Sequence, residues 1–190
     1  GKKIKAKRMR LNLAIVSVGR NGISQKYLGQ KRLACEKAGI GFKNHAFPAN
    51  ITEAKLRKEI GRIGQDKNVS GLVVQLPLPK NLSTVDVLNS IPPHKDPDCL
   101  TAVSSGKFTL GQGEILPPVV GAVGKLFKEY KIKTEGRNAV VVGAGRLVGL
   151  PVSLWLAKQG ATVTVCNRLT LNLADFTKKA DIIISGAGRA

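Results

Sequence analysis

Four side chains in the first half of this sequence are of types that move or orient protons: Tyr27, Lys31, Gln75 and Asp98. Lys31 follows Tyr27 by one helical turn, in a stripe with Ala34, Cys35 and Ala38 that otherwise reads as core-facing. Two readings of this lysine stand. It packs its stem and keeps its ammonium in water, or it is partly desolvated and poised for proton transfer. Gln75 puts an amide at the end of the apolar run Gly71-Leu-Val-Val74, and Pro77 and Pro79 remove the donors a pairing strand needs. In an open α/β sheet, ligands sit beyond the carboxyl ends of strands, which is where this order places Gln75. The plainer reading is a solvated amide at an extended turn. Asp96 and Asp98 lie in Pro92-Pro-His-Lys-Asp-Pro-Asp-Cys99, where carboxylates either shape turns or face a ligand.

A second set is built from glycines. The apolar run Arg137–Val142 leads straight into Gly143-Ala144-Gly145-Arg146-Leu147-Val148-Gly149. Glycine between a strand and a helix is the setting of a dinucleotide phosphate turn. The spacing is G-x-G-x-x-x-G rather than G-x-G-x-x-G, so a tight structural turn is the alternative. The next strand ends in Asn167-Arg168 with no acid to hold ribose hydroxyls. An arginine there suits a 2′-phosphate, which favours NADP over NAD.

The elements that must position these residues follow from periodicity and caps. Leu11–Val18 reads as a buried strand closed by the loop Gly19–Gly22. Ser24 is a candidate cap for a helix that stops at Gly39. A second strand spans Gly41–Phe47. Thr52 caps the next helix, with Ile51 and Leu56 as a staple and Leu56, Ile60 and Ile63 as its buried stripe. Gly71–Val74 is the third strand, and Ser83, with Leu82 and Val87, opens another helix. This alternation implies a parallel sheet with right-handed crossovers. Glycine-rich 106–113 suggests a hinge, and Leu116-Pro117-Pro118 starts a helix running to Tyr130. Beyond it, a helix over Leu150–Gln159, a strand over Ala161–Val165, a helix near Asn172–Lys179 and a strand over Asp181–Ser185 complete a β-α-β-α-β unit. The expected fold is α/β in two domains: an N-terminal parallel-sheet substrate domain, 1–115, and a partial Rossmann dinucleotide-binding domain, 116–190.

Composition narrows the class. The chain has 190 residues, 43% of them hydrophobic, enough for a sizeable core. No apolar run reaches a membrane span and no secretory segment opens the sequence. Three scattered cysteines (Cys35, Cys99, Cys166) argue against a disulfide framework or zinc site and for a reducing cytoplasm. His45 and His94 are too few and too isolated for a histidine-built metal site. The net charge of +19, six of whose basic residues fall within Gly1–Arg10, attracts polyanions or simply solvates the surface. With aromatics at 4%, an RNA-associated binding module is the weaker reading. Another oxidoreductase acting on a small acid would not explain why Lys31 and Gln75 occur together.

Together these segments resemble the bifunctional methylenetetrahydrofolate dehydrogenase/methenyltetrahydrofolate cyclohydrolase family. The resemblance is carried by Ser24-Gln-Lys-Tyr27 with Lys31, Val74-Gln-Leu-Pro-Leu-Pro79, Lys95-Asp-Pro-Asp98, and Val140-Val-Val-Gly143 through Val148-Gly-Leu-Pro151. It extends over nearly the whole chain. It implies NADP-dependent oxidation of 5,10-methylenetetrahydrofolate and hydrolysis of the methenyl product to 10-formyltetrahydrofolate, by a cytoplasmic homodimer of one-carbon metabolism. Lys31, Tyr27 and Gln75 would then be catalytic. Tyr27, Gln75, Leu76, Pro77 and Asp98 would hold the folate, and Gly143, Ala144, Gly145, Arg146, Gly149 and Arg168 the cofactor. Some positions depart from the family pattern. Cys99 stands where the family has glycine, and Pro118-Val119-Val120 where it has Cys-Thr-Pro. Ala144-Gly145 replaces an arginine-serine pair, and Asn167 a histidine. The sequence lacks an initiating Met and the family's closing Pro-Gly-Gly segment. It is therefore expected to be a fragment or short form, with an incomplete nicotinamide site and an open, apolar third strand in its second unit.

Overall fold

The computed structural model describes residues 10–19 and 22–188, with the side chains of 22–24 excepted. All of the basic N-terminal run except Arg10 lies outside the described residues, as do Arg20 and Asn21 of the first loop. The chain divides into two compact units, 1–110 and 111–190.

The first unit runs β1 (Asn12–Val18), α1 (Gly22–Ala38), β2 (Gly41–Phe47), α2 (Glu53–Gln65), β3 (Gly71–Val74), α3 (Thr84–Leu88), a 3-10 turn (Pro93–Lys95) and α4 (Ala102–Leu110). Its three strands are parallel in the order β2-β1-β3. Burial on both faces explains the unbroken apolar runs: Ala14, Ile15 and Val16 of β1 are at most 1% exposed, and all four residues of β3 are buried. Leu56, Ile60 and Ile63 of α2 join Val16, Leu72 and Val74 in one core. The Thr52 hydroxyl accepts from Lys55 N at 3.4 Å and the Ser83 hydroxyl from Asp86 N at 3.3 Å, so both helices begin at their expected caps. The staple residues Ile51 and Leu82 are buried as well.

Three expectations need correction here. The first helix begins at Gly22, so Ser24 lies inside its first turn rather than at a cap. Its inward stripe passes through Leu28, Lys31, Cys35 and Ala38, not through Tyr27, which is 55% exposed; Ala34 is exposed too. Leu28 competes with Tyr27 for the same turn, and the more apolar side chain faces in. The glycine-rich hinge is in its first half a helix: α4 runs through Gly106 to Leu110, capped where the Thr101 hydroxyl accepts from Ser104 N at 3.1 Å. The chain then turns at Gly111, at φ +72.

The second unit runs α5 (Pro118–Glu129), β4 (Asn138–Val142), α6 (Gly149–Lys158), β5 (Thr162–Cys166), α7 (Leu173–Thr177) and β6 (Ile182–Ser185). Pro118 takes the first helical position, where its missing N–H costs nothing. The strands are parallel in the order β5-β4-β6, with Ala139, Val140 and Val141 buried at the centre. Ile183 on β6, at one edge of that sheet, is 52% exposed.

Candidate functional site

In the first unit the carboxyl ends of the strands gather the polar residues. The Gln75 backbone N–H donates to Val16 O at 2.8 Å, which extends the β1–β3 pairing by one step and fixes where the side chain leaves the sheet. From there Gln75 Oε1 accepts a hydrogen bond from Lys31 Nζ at 3.2 Å, and Gln75 Nε2 donates to Leu76 O at 3.0 Å. Both ends of the amide are thus engaged, so its oxygen is turned towards the lysine. The Leu76–Pro77 peptide is cis. Pro77, with Ser17, Val18, Gly19, Gln25, Leu28 and Gln75, lines a narrow crevice of about 10 Å³. Leu76 packs against the core instead.

The loop after α3 brings the carboxylates. Lys95 Nζ donates to Asp66 O at 2.7 Å, tying the loop to the end of α2. Asp98 is partly buried, and burial holds its carboxyl above the usual carboxylate range; Lys31 opposes this and Asp96 adds to it. The Lys31 charge therefore reaches both Gln75 and Asp98, so residues from β3, α1 and this loop act on one place. Tyr27 does not join them: its side chain is exposed and makes no hydrogen bond with another described residue. Cys99 sits at φ +56, the left-handed conformation that favours glycine, and is 4% exposed. The turn that a glycine would favour is therefore held by a cysteine. Sequence reasoning paired Asp96 with Asp98 and gave it no role of its own; it is only 1% exposed. Nothing in its type or spacing separates it from Asp98.

In the second unit the turn after β4 is an interlocked knot of backbone. Gly143 has φ +106, and a Cβ there would lie 2.8 Å from Gly186 C. A Cβ on Gly149 would collide with Gly143 O, and one on Gly186 would lie 2.8 Å from Val148 Cγ1. Gly143 N donates to Cys166 O at 2.7 Å and Gly186 N to Val142 O at 2.8 Å, so the ends of β4, β5 and β6 are held together. No side chain caps the N-terminus of α6. Leu150 N donates to Gly145 O at 3.1 Å within the turn, and the positive end of the helix dipole at this terminus suits a pyrophosphate. Ala144, Gly145 and Arg146 are exposed on the turn. After β5, Asn167 is consumed locally: its Oδ1 accepts from Leu169 N at 2.8 Å, leaving Arg168 exposed at the bend. Gly186 was missed; a Gly-x-Gly directly after a strand was the available signal. Two roomier depressions in this unit, about 420 Å³ beside Trp155 and about 380 Å³ against β4, involve none of these residues.

With this geometry in place, comparison with known proteins is informative. The family model described as tetrahydrofolate dehydrogenase/cyclohydrolase, catalytic domain, matches residues 1–98, and the corresponding NAD(P)-binding domain matches residues 117–190. A protein of Bdellovibrio bacteriovorus, bifunctional protein FolD, is 39% identical over 178 residues, covering 94% of this chain and 62% of its own length. The crystal structure of the bifunctional methylenetetrahydrofolate dehydrogenase/cyclohydrolase of Campylobacter jejuni superposes with a TM-score of 0.92 at 38% identity, covering 98% of this chain and 67% of that one. The Trypanosoma brucei enzyme, solved with NADP and an inhibitor, gives 0.92 at 33% identity, covering 99% and 65%. The chain thus spans about three fifths of the length of the curated relatives it matches.

Proposed function

The chain belongs to the tetrahydrofolate dehydrogenase/cyclohydrolase family, and from that premise we propose that it oxidises 5,10-methylenetetrahydrofolate with NADP and hydrolyses the methenyl product to 10-formyltetrahydrofolate. The observation that carries this reading is the Lys31 Nζ to Gln75 Oε1 hydrogen bond of 3.2 Å at the carboxyl end of β3. It joins the two residues whose joint occurrence another oxidoreductase acting on a small acid would not explain.

In the hydrolysis, water adds to the methenyl carbon and the bond from that carbon to one folate nitrogen breaks. A proton must leave the water and one must reach the departing nitrogen. Lys31 takes up the first and passes it to the departing nitrogen, and the hydroxyl proton of the adduct leaves to solvent as the formyl carbonyl forms. Gln75 aims the lysine through its oxygen, and Asp98 receives the amino-pyrimidine edge of the pterin, whose donors suit a carboxylate. Tyr27, exposed one turn before Lys31, is free to lie against the folate. Leu76 and Pro77 shape the wall beside Gln75.

The dinucleotide, when bound, supplies the hydride acceptor for the oxidation. The second unit fits it. Gly143 and Gly149 let the backbone of the turn close where a Cβ would collide with it, Ala144 and Gly145 stand exposed on that turn, and the start of α6, with no side-chain cap, faces the pyrophosphate. Arg168 or Arg146 grips the 2′-phosphate. In this proposal the protein divides into a folate-binding region, 1–115, and a dinucleotide-binding region, 116–190. It acts as a cytoplasmic homodimer in one-carbon metabolism, as the family resemblance implies. Three free, buried cysteines suit a reducing compartment.

The test is an absorbance assay of the protein with methylenetetrahydrofolate and either NADP or NAD, and with methenyltetrahydrofolate alone. Cofactor reduction favouring NADP, together with loss of the methenyl chromophore faster than in buffer, is the expected result. Neither signal, in a folded protein carrying the family's full length, would overturn the reading.

A further inference from the structure

Asp96 is the anomaly of the first unit. Its Oδ2 accepts from the Thr101 backbone N–H at 2.8 Å, while Oδ1 is buried without a hydrogen-bond partner among the described residues. A buried carboxylate with half of its acceptor capacity unmet costs stability, and such groups call for an explanation. The bond to Thr101 closes a short loop with Asp98 and Cys99 inside it. Within that loop Cys99 N reaches back to Asp96 O at 3.4 Å, and Lys95 anchors the entry to Asp66. The backbone around Asp98 is therefore pinned from both sides, with Cys99 held at a positive φ. No mechanistic step proposed above uses Asp96.

We propose that Asp96 is a positioning residue: its carboxylate fastens the turn that presents Asp98, and its buried charge tunes the charge Asp98 offers to a ligand. The groups that act on Asp98 are Lys31 from α1 and Asp96 from its own loop. Burial and Asp96 favour its protonated form and Lys31 the ionised one. The same buried charge also acts on Cys99, whose thiol is pushed up to about 11, first by burial and then by Asp96. Removing the Asp96 charge removes a repulsion, so Asp98 should lose its proton at lower pH.

Carboxyl-carbon NMR titration of the intact protein tests this, with Asp98→Asn assigning the Asp98 signal. Asp96→Asn keeps an oxygen for the Thr101 N–H and drops the charge; the Asp98 midpoint should move to lower pH. Asp96→Ser, neutral and shorter, should shift it in the same direction and also speed hydrogen exchange at the Thr101 amide. The result therefore does not hang on one variant folding. A residue that only supported the fold would lower stability and leave the Asp98 midpoint in place, and a midpoint unchanged in whichever variant folds overturns the proposal. The ligand-facing role of Asp98 belongs to the proposed folate site. A wild-type protein that binds no folate would sink that assignment, whereas the titrations alone decide the part played by Asp96.

Discussion

The two units build sheets of the same order, with the first strand between the second and the third, yet they hold their sites in opposite ways. In the first, the working groups we propose are side chains brought from separate segments: Lys31 from α1, Gln75 from the end of β3, Asp98 from a pinned loop. The backbone there is largely a frame. In the second, what matters is the lack of side chains, because Gly143, Gly149 and Gly186 occupy space that a single Cβ would contest. Substitution should accordingly remove chemistry without structure in the first unit, and structure before chemistry in the second.

The largest expected effect tests the first half of that contrast. Lys31→Met should slow methenyl hydrolysis by roughly 10²–10⁴-fold while tetrahydrofolate still binds and thermal unfolding is unchanged. Lys31→Arg should not rescue, since a guanidinium does not give up its proton near neutrality. Hydrolysis within a few-fold of wild type, followed by loss of the methenyl absorbance, would break the assignment. Gly149→Ala probes the other half. Its Cβ meets backbone at Gly143 O, which cannot swing aside, so a loss of roughly 3 kcal/mol is expected in the second unit. Dinucleotide affinity should fall with it and folate affinity should not; a variant with wild-type melting would refute the interlock.

Smaller effects sharpen the boundary between the two cases. Arg168→Ala, with Arg146→Ala in parallel, should weaken NADP by about 1.5–3 kcal/mol for whichever arginine holds the 2′-phosphate, and leave NAD nearly unaffected. An equal rise in KM for both cofactors would mean that the arginine serves the shared pyrophosphate or the fold. Cys99 is where the first unit behaves like the second. At φ +56, Cys99→Gly should stay within about 1 kcal/mol of wild type, relief of strain offsetting the lost burial, whereas Cys99→Val should cost about 1–2 kcal/mol more. Denaturant midpoints at constant slope distinguish them.

Much of this was legible in the sequence because it rests on local rules. Thr52 and Ser83 sit where caps must sit, Pro118 where a helix can start, and Gln75 where an apolar run meets prolines. The two parallel sheets follow from the alternation of elements alone. What was not legible depends on the choice between near-equal neighbours. Leu28 rather than Tyr27 faces inward, a rotation of one residue that periodicity does not resolve. Asp96 rather than Asp98 is sealed, although both sit beside Pro97. The helix over Ala102–Leu110 was hidden by its serines and glycine, whose low propensity is outweighed by the Thr101 cap and by burial of Phe108. In the site itself, the Lys31–Gln75 pairing was expected, and the solvent exposure of Tyr27 was not.

The knot at the end of β4 also bears on the order in which the second unit assembles. The segment from Val142 to Gly149 is short and could close early, but its shape is completed by Gly186, which arrives only after α6, β5, α7 and β6 have been laid down. The seat for the pyrophosphate is therefore a long-range product, reached after the loop-closure entropy of the whole unit has been met. During refolding, strand pairing should appear before dinucleotide affinity does. A nucleotide added at the start should then slow unfolding far more than it speeds folding, because it can grip only what the last strand has already locked.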